Sequence, residues 1–143
     1  MAPRILIVDN EPAIGLALTR LLEVRAAMHA VVAHSADEAE AEIARGSVDA
    51  MLLDYHLPGM RGDAFYYRAC ELQPSIARRT VFITGDLSAR ANDAITSTGC
   101  SVLLKPFAIS VLIAELYRVI GATEAQSWPD RAPAPVADVW RCA

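Results

Sequence analysis

Four short apolar runs in this 143-residue chain stop at residue types that can do chemistry. One ends in Asp9-Asn10-Glu11, another in Asp54, a third in Thr84 and the last in Lys105, followed by Pro106. Carboxylates brought to one point repel each other unless a cation neutralises them, and hard oxygen donors that leave room for retained waters describe a Mg²⁺ site. Mg²⁺ is therefore the expected cofactor. Beside such a cation the Asp54 carboxylate is a candidate nucleophile toward a phosphoryl group, with the Lys105 ammonium as a point charge for the transferring oxygens. The Thr84 hydroxyl can hydrogen-bond a phosphoryl oxygen once it arrives and draw its loop inward, which would make the reaction a switch.

Such residues converge only if the elements that carry them run the same way and end on one rim. Apolar runs at 4–9, 28–34, 49–54, 80–84 and 101–104 alternate with helix-length segments, the pattern of a parallel sheet covered by helices on both faces. In a doubly wound sheet of this kind, ligands collect at the carboxyl ends of the strands. Ile14, Leu18, Leu21, Leu22 and Arg25 fall at helical spacing in a first helix that starts near Glu11. Ile109, Leu112, Ile113, Leu116, Val119 and Ile120 repeat the pattern in the last helix. Ser35 with Glu38 predicts a capping box at the start of the second helix, with Asp37 favourable in its first turn. Residues 65–72 and 87–98 supply the third and fourth helices, with Pro74 and Gly99 as their stops.

The stretches Ile-Leu-Ile-Val-Asp-Asn-Glu-Pro (5–12), Met-Leu-Leu-Asp-Tyr-His-Leu-Pro-Gly-Met (51–60), Val-Phe-Ile-Thr-Gly-Asp (81–86) and Leu-Leu-Lys-Pro-Phe (103–107) stand in this order at four predicted strand ends. In that arrangement the chain resembles the response-regulator receiver family of two-component signalling, over about residues 4–121. The resemblance implies a flavodoxin-like α/β fold, a three-layer, doubly wound, five-stranded parallel sheet of strand order 2-1-3-4-5. It implies Asp54 as the site of phosphorylation, supplied by a histidine kinase or a histidine phosphotransfer protein. It implies Asp9, position 10 (Asn10), Asp54 and the His56 backbone carbonyl at Mg²⁺, Thr84 and Lys105 as a switch pair, and a cis Lys105-Pro106 peptide. Such a protein is a phosphoacceptor with its own phosphorylation and dephosphorylation chemistry, not a turnover enzyme. The positions of His56 and Asp86 influence phosphate loss in the family. A partner or a second copy would dock on the face of the fourth helix, fifth strand and fifth helix.

Two positions depart from the family. The acid usual beside Asp9 is Asn10, whose amide oxygen can coordinate but brings no charge, so Mg²⁺ binding would weaken unless Glu11 compensates. The aromatic usual three before Lys105 is Val102, which puts the ordinary coupling to the output face in doubt. Both changes fit an alternative, a degenerate receiver that acts as a phosphorylation-independent interaction module. A phosphohydrolase of the haloacid dehalogenase class would carry a second Asp where His56 stands. A flavin binder would want a phosphate-cradling loop where Asp9-Asn10-Glu11 would repel phosphate. Plainer local readings also exist. Asn10 with Pro12 reads as a helix cap, Asp86 as the N-cap of the fourth helix, and His56 as a solvated loop residue. Leu57-Pro58-Gly59 reads as a turn and Gly62 as a loop hinge.

Bulk properties agree with one domain at 1–121 followed by a Pro-rich tail or linker at 122–143, in which Trp128 and Trp140 are candidate docking aromatics. Hydrophobic residues make up 54% of the chain, which strands buried on both faces would explain. A net charge of -4 gives no footprint for nucleic acid. Cys70, Cys100 and Cys142 are odd in number and in no metal-ligand spacing, as expected of a reducing compartment. No apolar stretch suits a signal peptide or a membrane span, so a cytoplasmic location is expected.

Overall fold

The computed structural model describes residues 2–121. In chain order the elements are β1 (Arg4–Val8), α1 (Pro12–Ala26), β2 (His29–Ala33), α2 (Ala36–Arg45), β3 (Ala50–Asp54), β4 (His56–Leu57), β5 (Met60–Arg61), α3 (Gly62–Leu72), a 3-10 turn (Pro74–Arg78), β6 (Thr80–Thr84), α4 (Ala89–Thr96), β7 (Ser101–Leu104) and α5 (Ile109–Gly121). The main sheet is parallel in the order β2-β1-β3-β6-β7. This is the expected order 2-1-3-4-5, the later numbers rising because β4 and β5 form a separate two-residue antiparallel hairpin.

Side chains alternate across each strand, so each strand feeds two cores. Ile5, Ile7, Leu52, Val81, Ile83 and Leu103 face α1 and α5, whose Leu18, Leu22, Leu112 and Leu116 complete one layer. Leu6, Val8, Met51, Leu53, Phe82 and Val102 face α2, α3 and α4 through Ile43, Phe65, Ala69, Ala91 and Ile95. Burial on both faces leaves the five residues of β3 and of β6 all buried, which explains the near-continuous apolar runs in the sequence. No helix among the described residues is long and apolar enough to cross a membrane.

Several local expectations change. Helix α3 starts at Gly62, ahead of the apolar run at 65, because Arg61 stands at its N-cap in extended geometry. Helix α4 spans Ala89–Thr96, with Ser88 as its cap: the Ser88 side chain accepts the Ala91 N–H. Asp86 is therefore not the N-cap. At α2, Ser35 accepts the Glu38 N–H as expected, but Glu38 reaches back to the N–H of His34 and not to that of Ser35. The tail at 122–143, with both tryptophans, lies outside the described residues.

Candidate functional site

The switch in strand order around β1 puts the ends of β1 and β3 side by side, and both end in acids. Asp9 continues the ladder one residue past β1, its N–H donating to the Ala33 carbonyl at 3.0 Å. Asp54 is the last residue of β3. Lys105 follows β7 and its N–H is held by the Thr84 carbonyl at 2.8 Å. From there Lys105 Nζ reaches Asp9 Oδ2 and Asp54 Oδ2 at 3.2 Å each, and Glu11 Oε1 at 3.5 Å.

Two buried carboxylates need compensation, and the backbone supplies what Lys105 does not. Asp9 is 0% and Asp54 5% exposed. The Glu11 N–H donates to Asp9 Oδ1 at 2.9 Å and the His56 N–H to Asp54 Oδ1 at 3.1 Å. Burial pushes the Asp54 carboxyl above its ordinary pKa; the His56 N–H and Lys105 oppose that shift, and Asp9 adds to it. For Lys105, burial acts to lower the pKa, but Asp54 and Asp9 outweigh it and hold the ammonium above the ordinary value. The rim can therefore present one buried carboxylate with a fixed cation alongside, the electrostatic frame that phosphoryl transfer asks for.

The other expected residues lie close by in different relations. Thr84 is buried at the end of β6, and its Oγ1 accepts the Asp86 N–H at 2.9 Å. Val102 is buried within β7, opposite Phe82. Asn10 is exposed, and the cap position of α1 belongs to Glu11, which makes no side-chain cap bond, so the plain capping reading of Asn10 does not hold. The Lys105-Pro106 peptide is cis.

A family model described as the response regulator receiver domain matches residues 5–117. The chain belongs to that family. Solved structures agree. A CheY-like response regulator receiver domain protein from Methanospirillum hungatei JF-1 is 25% identical with a TM-score of 0.77, over 85% of this chain and 95% of that one. The signal receiver domain of an HD domain-containing protein from Pseudomonas fluorescens Pf-5 is 26% identical with a TM-score of 0.76, over 85% and 96%. The non-phosphorylated HemR receiver domain from Leptospira biflexa is 25% identical with a TM-score of 0.73, over 85% and 97%. None of the curated proteins matches the chain.

Receiver domains of two-component signalling are phosphoacceptor modules whose site binds Mg²⁺, and the donors of this receiver suit that ion. Among the described residues no three His, Cys, Asp or Glu side chains converge as a metal cage. Mg²⁺ does not require one, since it takes one or two carboxylates and keeps several waters. Asp9 and Asp54 are hard oxygen donors on adjacent strand ends, already drawn together by a cation in Lys105.

One contact of this receiver escaped the sequence. His56 Nε2 lies 2.7 Å from Asp86 Oδ2, so His56 is paired and not merely solvated. Asp86 also accepts the Ser88 N–H, and these bonds bring its carboxyl down to about 2, with Ser88 the main cause and His56 next. Thirty positions separate the two residues, which follow the paired strands β3 and β6, His56 standing in the β4–β5 hairpin. The one sequence signal for that hairpin is the turn at Pro58-Gly59, where Gly59 takes a φ of 77°.

Proposed function

We propose that this receiver takes a phosphoryl group onto Asp54 from a phosphohistidine on a kinase or phosphotransfer protein, and that the change is read by a protein partner. The observation that carries the reading is Lys105 Nζ at 3.2 Å from both Asp9 and Asp54 on the carboxyl rim. An Asp54 carboxylate oxygen forms the new bond to phosphorus. The P–N bond breaks with its electron pair going to the imidazole nitrogen, which takes a proton from solvent. Lys105, already tethered, turns from the carboxylates to the transferring oxygens. The Thr84 hydroxyl now accepts from Asp86, which leaves its own hydrogen free to donate to a phosphoryl oxygen. Asp9, Asn10, Asp54 and the His56 carbonyl would hold Mg²⁺, which supplies charge neutralisation to the carboxylates and the incoming group. Residues 1–121 would act as the module and 122–143 as tail or linker, with α4, β7 and α5 as the face for a partner or a second copy.

Beryllofluoride, a stand-in for a phosphoryl group on an aspartate, tests the reading directly. Calorimetry should show binding near one equivalent with Mg²⁺, none without it, and none in Asp54→Asn. No binding to the wild-type chain would favour the second reading, an interaction module independent of phosphorylation, to which the exposed, uncharged Asn10 already points.

A further inference from the structure

Asp86 stands where a hydrogen-bonded path from the acceptor meets a second one from Thr84. One path starts at the carboxylate: the His56 N–H donates to Asp54 Oδ1 at 3.1 Å, and the His56 ring meets Asp86 Oδ2 at 2.7 Å. The other starts at Thr84, whose Oγ1 accepts the Asp86 N–H at 2.9 Å. From Asp86 a single path leads on. Its Oδ1 accepts the Ser88 N–H at 2.8 Å, and the Ser88 hydroxyl accepts the Ala91 N–H at 3.2 Å, closing the first turn of α4. The two carboxylate oxygens thus face opposite ways, one toward the hairpin after the acceptor strand and one toward α4.

The path runs over an exposed His56 side chain that rests on a buried neighbour. The His56 ring sits edge-on to Tyr55, with centroids 4.9 Å apart and planes at 80°. Tyr55 is 2% exposed, in the same apolar cluster as Ala91 and Ile95 of α4. Val102, in that cluster too, offers neither a ring nor a polar atom to carry a change across it. A group added to Asp54 would compete with the His56 N–H for the carboxylate oxygens and would engage the free hydrogen of the Thr84 hydroxyl, whose oxygen already accepts the Asp86 N–H. Both events load the same residue.

On the reading that Asp54 is the acceptor, we propose that His56, Asp86 and Ser88 form a polar relay that carries the state of Asp54 to the N-terminus of α4. Asp86 is a positioning residue in this scheme, since it touches neither the acceptor nor the incoming group. The discriminating quantity is the response of α4, not its resting state. Amide spectra of the full chain would be compared with and without beryllofluoride and Mg²⁺, for wild type, Asp86→Ala and Ser88→Ala. In wild type, amides of Tyr55 and His56 and those of Ser88, Ala91 and Asn92 should all move. In both variants the first pair should still move, while the α4 response shrinks several-fold. An undiminished α4 response in Asp86→Ala overturns the relay. So does an Asp86→Ala chain that no longer binds beryllofluoride when wild type does, because Asp86 would then serve binding itself. A wild-type chain without any response removes the acceptor reading, and the relay falls with it.

Discussion

Ionising Asp54 means leaving a carboxylate 5% exposed beside a second, fully buried one at Asp9. Lys105 and the His56 N–H offset only part of that cost, and the pKa of Asp54 rises. The linkage has a definite sign. Because the unfolded chain gives up this proton first, near the ordinary value of about 4, the native state loses relative stability as pH climbs from there through the raised value. Asparagine at this position has no proton to lose. The melting temperature of wild type minus that of Asp54→Asn, measured without divalent metal, should therefore fall as pH rises through that window and then level off. The asparagine chain should end up the more stable of the two at neutral pH. A difference that rises with pH would mean that Lys105 overcompensates the burial. Asn10 belongs to the same balance: a third acid there would add repulsion to the metal-free rim, and its absence lowers that cost along with the charge available to a cation.

At the scale of elements, the site depends on how closely α3 approaches the end of β3. The Gly62 N–H donates to the Tyr55 carbonyl at 2.5 Å, and a Cβ on Gly62 would lie 2.5 Å from the Asp54 carbonyl oxygen and 2.7 Å from Tyr55 Cα. Those are backbone atoms on the acceptor segment itself and cannot swing aside. Gly62→Ala should lower stability by about 2–3 kcal/mol, seen as a lower urea midpoint with unchanged slope. An unchanged midpoint would show that the hairpin gives way freely. The sequence marked Gly62 as a hinge, but its requirement is steric and comes from residues seven and eight positions earlier, where no local pattern can show it. The same limit explains the fourth helix. Ser88 and Asp86 both have cap chemistry, and only the fold decides that Ser88 takes the helix while Asp86 turns one oxygen to His56. By contrast, β1, β3, β6 and β7 were legible because burial on both faces writes itself as near-continuous apolar runs.

For the molecule as a whole, the sheet acts as a frame that holds chemistry at one rim. Strands β1, β3, β6 and β7 deliver Asp9, Asp54, Thr84 and Lys105 to their carboxyl ends, and the two apolar layers behind them fix where those ends lie. This is why the residue types could be gathered from sequence: strand ends follow from where apolar runs stop, and the strand order was implied by the family resemblance. Side-chain partners such as His56 with Asp86 carry no such periodic signal. The account stands or falls on whether the rim accepts a phosphoryl group. The chain would be incubated with Mg²⁺ and a small phosphodonor, acetyl phosphate or phosphoramidate, and its intact mass read beside Asp54→Asn. The account predicts a gain of one phosphoryl group, about 80 Da, in wild type and none in the variant. A wild-type chain whose mass does not change, or a variant that gains as much, would contradict it.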